Sequence, residues 1–262
     1  MDVHLSKSIA ALVATALALA AAASAPASTQ LSKPQYIAKG DALCRTASAQ
    51  IRKLGPLSGV LFTLIMVTAL VLTRGEADSG ASSQKIFAYW HGHYGAQMIS
   101  ALILAPLGAL LLVVFAAELR RTIRSGEAGE AIYSPIVLAG GVMTAVGLGV
   151  TGAFDAAVTS AAHHNSHAAV YTLAQLQSYD WVPWILGFAT MMLATGIGGL
   201  RTAALPKSLS WPALALGIAF LTPLGFFGLF VLPVWTLAAG VVLYRRNTRP
   251  RSAGTVPAPQ PA

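Results

Sequence analysis

The stretch "GAQMISALILAPLGALLLVVFAA" (95–117) contains no charged side chain, and four other runs share that character. They are "PLSGVLFTLIMVTALVLT" (56–73), "PIVLAGGVMTAVGLGVTGAF" (135–154), "WVPWILGFATMMLATGIGGL" (181–200) and "WPALALGIAFLTPLGFFGLFVLPVWTLAAGVVLY" (211–244). A helix needs about 20 apolar residues to cross the ~30 Å hydrocarbon layer of a bilayer. The last run, at 34 residues, exceeds one crossing, and Pro223 and Gly225 in "TPLGFFG" supply a turn near its middle. The expected fold is an all-α polytopic transmembrane helix bundle. Its six core helices lie at about 56–73, 95–117, 135–154, 181–200, 211–224 and 228–244, within a domain spanning 55–246. A single tilted helix over 211–244 is the alternative, and it would carry the C-terminus to the other side. Composition agrees with lipid as the solvent. Only 10% of the residues are charged, against roughly 25% in soluble domains.

The formal charge of +8 would suit nucleic acid in a soluble protein, but its distribution points to a bilayer instead. Lys and Arg accumulate in cytoplasmic loops. With residue 55 inside, the cytoplasmic segments hold Arg120, Arg121, Arg124, Arg201, Lys207, Arg245, Arg246, Arg249 and Arg251, nine in all. The opposite loops, 74–94 and 155–180, hold two, Arg74 and Lys85. The expected location is a plasma membrane, with the core N-terminus and the C-terminus cytoplasmic and those two loops extracytoplasmic. The expected partners are the lipid bilayer and a protein or second copy within it, and no nucleic acid.

Ahead of the core, "IAALVATALALAAAASA" (9–25) has the length of a secretory apolar region, and "APA" (25–27) would serve as a cleavage site. The connector 28–54 carries Lys33, Lys39, Arg45, Arg52 and Lys53, a basic excess that belongs inside. Two readings of 1–27 stay open: a removed signal-like segment, or an uncleaved first helix running outside to inside. Around Cys44, "YIAKGDALC" resembles the helical segment that follows signal peptides in secreted proteins of GC-rich bacteria. Cys44 is the only cysteine, so no intrachain disulfide forms. The tail 247–262 is basic and Pro/Ala-rich, a composition expected to be disordered.

Within the six spans there is no Asp, Glu, Lys, Arg or His, whereas ion-coupled transporters keep such groups at mid-membrane. A neutral-solute path would need Gln97, Ser100, Thr144, Thr151 and Thr190. Small residues recur at helical spacing, as Gly141, Ala145 and Gly149 and again in "TGIGG" (195–199), which lets backbones approach. Pro106, Pro183, Pro223 and Pro233 are expected to kink or cap helices. Trp90, Trp181, Trp184 and Trp211 are expected near the headgroup layer, with Trp235 deeper.

Taken together, "GPLSGVLFTLIMVTALVL", "IFAYWHGHYG", "FAAELRRTIR", the Gly-rich third span and "LRTAALPKSLSWPALALGIAF" form one pattern. It resembles a widespread family of multi-pass bacterial integral membrane proteins of unknown function, over roughly 55–246. The resemblance implies the fold and topology and carries no activity with it.

Five of the six histidines fall in the two extracytoplasmic loops, as "WHGHY" (90–94) and "HHNSH" (163–167). His91, His93, His163 and His167 are the candidate metal ligands. His163 and His167 are four apart, which puts both rings on one face if the chain is helical there. Imidazole suits zinc, copper or haem iron alike. Against a site, Asn165 and Ser166 favour a turn, carboxylates are few, and interfacial histidines often only bridge apolar and wet surroundings. Asp155 is expected as a solvated carboxylate at a helix end. Ser160 near His163 lacks the context of a nucleophile, and "ELRRTIRSGEAGE" (118–130) is expected to be a charged connector. The expectation is therefore a non-catalytic protein, structural, regulatory or partner-binding. An extracytoplasmic metal or haem binder and a neutral-solute channel are the alternatives.

Overall fold

The computed structural model describes residues 55–75, 80–223 and 225–248. Cys44, the segment 1–54 and the tail from 249 on, with Arg249 and Arg251, lie outside the described residues.

Every described element is a helix. They are α1 (Gly55–Leu72), α2 (Ser83–Gly92), α3 (Tyr94–Arg124), α4 (Tyr133–His163), α5 (His167–Gln177), α6 (Trp181–Thr202), α7 (Lys207–Ala219) and α8 (Gly225–Thr248). Among the described residues, five helical units are long and apolar enough to cross a membrane: α1, α3, α4, the α5–α6 unit and α8. At 13 residues, α7 rises only about 20 Å, short of the hydrocarbon thickness. It pairs with α8 through a tight turn closed by Gly225 N–H donating to Thr222 O (2.9 Å). The long run 211–244 is thus two helices and not one tilted rod.

The core helices form an antiparallel ring. On α3, Phe115 packs over Gly59 and Gly108 lies against Ile65 and Phe62 of α1. Farther round the ring, Gly141 of α4 meets Ala116 of α3, and Gly147 of α4 meets Trp184 of α6. The ring continues where Gly196 of α6 meets Leu214 of α7 and where Trp235 Nε1 of α8 donates to Leu209 O of α7 (2.9 Å). It closes where the hydroxyls of Thr63 (α1) and Thr236 (α8) meet at 2.6 Å. Phe62, Phe115, Phe188, Phe220, Trp235, Met191 and Met192 fill the centre. Rows of large apolar side chains face outward instead, among them Leu110, Val146, Phe230 and Val234. A surface of that kind needs lipid to cover it.

Glycine brings backbone against backbone between α4 and α6. A methyl group on Gly140 would lie 2.5 Å from Met191 N and 2.9 Å from Gly187 O. The four-residue stripe read from the sequence is used only in part. Gly141 and Ala145 are buried, while Gly149 faces open space. Each step of four advances 40° around a 3.6-residue helix, so the third member has rotated away from its neighbour. Gly140 and Gly147 make the α6 contact instead.

Pro106 leaves its mark on α3. Without an N–H it cannot bond the carbonyl four residues back, and the helix widens into a π-turn at Ser100–Leu104 just before it. Among the tryptophans, Trp235 is buried in the bundle as expected from its depth. Trp90 departs from the expected headgroup position, being 2% exposed inside a second, smaller core.

Candidate functional site

That second core belongs to a cap at the histidine-bearing end. The apolar run of the third span ends at 154, yet α4 continues to His163. A turn follows, in which Asn165 takes a left-handed conformation (φ 56°) and Ser166 N–H donates to Ala161 O (3.0 Å). Then α5 folds back along α4, and Gln177 Nε2 donates to Asp155 Oδ1 (3.1 Å) across the base of the hairpin. Asp155, expected as a solvated carboxylate, is half-buried and bonded. Helix α2 lies against the hairpin, joining Ile86, Tyr89 and Trp90 to Val158, Ala162, Val170 and Ala174. The segments read as loops are largely helical because these apolar residues recur at helical spacing and cover one another.

Tyr89 fastens the cap to the bundle. Its hydroxyl donates to Thr73 O at the end of α1 (2.7 Å) and accepts from Gln97 Nε2 of α3 (2.8 Å). Gln97 is 1% exposed, so this link is shielded from competing water.

All five cap histidines are exposed and stand against aromatic rings or one another. Phe87 stacks with both His91 (5.5 Å between centroids) and His167 (3.7 Å). His93 stacks on Tyr89 (4.5 Å), its Nδ1 lying 2.9 Å from Tyr89 O. His163 packs on Tyr94 (4.5 Å), and His164 meets His163 edge-on while its Nδ1 lies 2.8 Å from Ser160 O. The turn at Asn165 separates His163 from His167, so the shared helical face considered for them does not form. The cap brings His91, His93, His163 and His167 to one end of the molecule. Among the described residues, however, no three His, Cys, Asp or Glu side chains gather where they could hold one metal ion. A shallow cleft of about 440 Å³ opens between the starts of α2 and α5, lined by Ser82, Ser83, His167 and Tyr171.

The candidate polar path is dispersed. Thr144 and Thr190 bond the carbonyls of Gly140 and Leu186 in their own helices. Gln97 serves the cap, Ser100 sits in the π-turn, and aromatic side chains fill the bundle centre.

The opposite, arginine-bearing end holds a buried carboxylate that the pattern of apolar runs passes over. Glu118 is 4% exposed. It accepts from Arg121 Nε (3.0 Å) and Nη2 and from Asn247 Nδ2 (3.0 Å), joining α3 to α8, and its Oε2 lies against Gly55 at the start of α1. The visible signal is the Glu–x–x–Arg spacing directly after an uncharged run. At the same end Glu127 Oε1 accepts from Tyr133 N–H (2.7 Å) and Ser134 N–H (3.1 Å), closing the start of α4.

Burial acts to raise the Glu127 pKa. Hydrogen bonds from Ser134, Tyr133 and Ile132 outweigh it and hold the carboxyl below its ordinary value of 4.5. A depressed carboxyl contributes stability above its unfolded pKa and loses it as pH falls through the folded one. Glu127→Ala is therefore expected to destabilise the protein by about 1 kcal/mol at neutral pH, as loss of a helix cap does. Thermal unfolding of the two proteins in detergent, compared from pH 7 down to pH 3, should show that difference shrinking on the acid side.

The fold defines an all-α polytopic transmembrane helix bundle with a small helical cap at one end. No family model, curated protein or solved structure matches the chain.

Proposed function

We propose that this is a non-catalytic integral protein of a bacterial cell membrane whose cap is a recognition surface for a protein partner. In this reading it belongs with the multi-pass family that its sequence resembles. The arginine-bearing end is cytoplasmic and the cap extracytoplasmic, in line with the nine-to-two distribution of basic residues. The observation that carries the proposal is the construction of the cap. It has its own buried core, Tyr89 and Gln97 tie it to the bundle, and it presents imidazole and aromatic rings outward. Aromatic rings with polar tips held on a rigid base suit partner contact, because little side-chain entropy is lost on binding. Zinc, copper or haem at His91, His93, His163 and His167 would require their ring nitrogens to converge, and among the described residues no three such ligands gather.

The placement is tested with topology reporters. A fusion after residue 128 should report the cytoplasm, and one after residue 170 the outside. The reverse pattern would overturn both the orientation and the role given to the cap.

A further inference from the structure

We infer that the turn between α6 and α7 is a binding site for the phosphate of an anionic phospholipid, with the lipid chain lying along α7. The turn is held in a single shape. Thr202 Oγ1 donates to Gly198 O (2.7 Å) and accepts from Ala204 N–H (3.2 Å), Ala203 adopts a left-handed conformation (φ 51°), and Ala204 and Leu205 are buried. Three cationic residues flank this frame. Arg201 precedes it, its guanidinium 5.9 Å from the Tyr133 ring centroid. Lys207 follows it, and Arg246 arrives from α8 to donate through Nη1 to Ala204 O. All three residues are exposed, and none pairs with a carboxylate among the described residues.

Two of the acids at this end are committed elsewhere, and Glu130 is exposed and forms no ion pair with these cations among the described residues. Glu118 is taken by Arg121 and Asn247, and Glu127 by the start of α4. Positive charge on a fixed turn that forms no ion pair among the described residues fits an oxyanion, and the surroundings select a lipid over a free one. Trp211 lies one helical turn beyond Lys207 on the same face and is 59% exposed, and Ile218 continues that face at 53%. An ammonium, then an indole, then an aliphatic side chain follow the order of headgroup, interface and hydrocarbon along a membrane normal. The inference rests on the membrane reading proposed above but not on which side the turn faces.

The test uses the full-length protein in detergent, with binding of phosphatidylglycerol, phosphatidylcholine and inorganic phosphate compared by native mass spectrometry. Wild type should retain phosphatidylglycerol in preference to phosphatidylcholine. Lys207→Gln, which removes an exposed cation with no hydrogen bond or ion pair among the described residues, should weaken that retention about fivefold, the worth of one cation near an anionic headgroup. Adding Arg201→Gln should weaken it further. Lys207→Arg should keep it, as should Lys85→Gln at the other end of the molecule. Equal retention of the two lipids, undiminished phosphatidylglycerol binding by Lys207→Gln, or inorganic phosphate competing as well as the lipid would each overturn the inference. Reporter fusions placing the turn outside would overturn the orientation and leave this site standing.

Discussion

Gly140→Val is expected to prevent the bundle from holding together, with a loss of about 3 kcal/mol or more. The first added carbon would already lie 2.5 Å from Met191 N and 2.9 Å from Gly187 O. Both are backbone atoms inside a helix, so no rotamer change can relieve the clash. Separating α4 from α6 would also open the contact of Gly147 with Trp184 and disturb Phe188, which stacks on Phe220 and meets Phe62 at a tilt in the bundle centre. In lipid the hydrophobic effect does not drive helices together, so close packing has to supply the attraction. Gly149→Val provides the control on the same helix. Gly149 has nothing within contact range, so that variant should unfold within a few degrees of wild type. The measurement is the unfolding midpoint in detergent, with size exclusion to confirm a folded particle free of aggregate. Similar midpoints for Gly140→Val and wild type would refute the backbone contact between α4 and α6.

The second large effect is expected from Arg121→Ala, at about 3 kcal/mol. The weight falls on the residue left behind. Glu118 is buried, and without the guanidinium it keeps only Asn247 among the side chains that bond it here. An uncompensated buried carboxylate is costly, whereas Arg121 itself is 43% exposed and would hydrate readily if Glu118 were removed. The asymmetry is the testable part. Arg121→Ala should destabilise more than Glu118→Gln, which leaves an uncharged acceptor for Asn247. Joining the two substitutions should recover part of the loss, because neither charge then remains. A double variant no better than Arg121→Ala would mean that the pair contributes through packing and not through charge.

Much of this fold is legible in the sequence, and the illegible parts share a cause. Uncharged runs locate α1, α3, α4, α6 and α8 because the bilayer imposes a minimum length that soluble cores do not. Pro223 and Gly225 mark the divided last run for the reason that governs any turn. The cap is harder to read. Ile86, Tyr89 and Trp90 already follow helical spacing, but their stretch is short and interrupted by polar residues. What buries them is Val158, Ala162, Val170 and Ala174, more than sixty positions away. For the histidines, clustering in sequence correctly implies one end of the molecule. It cannot reveal that Phe87, Tyr89 and Tyr94 occupy their faces, since those contacts depend on how α2 lies on the hairpin. Glu118 reads as one more charge in a connector because its burial comes from Asn247 on α8.

Helix α4 runs without a break for 31 residues, about 46 Å at the usual rise, and so belongs to the bundle and the cap at once. A force on the protruding hairpin is applied directly to a rod whose other half is seated backbone to backbone against α6 at Gly140. Such a rod cannot roll about its own axis without driving backbone into backbone at Gly140. The movements left to it are tilting and sliding, and either one would carry a disturbance of the cap through the membrane to the loop that Glu127 anchors.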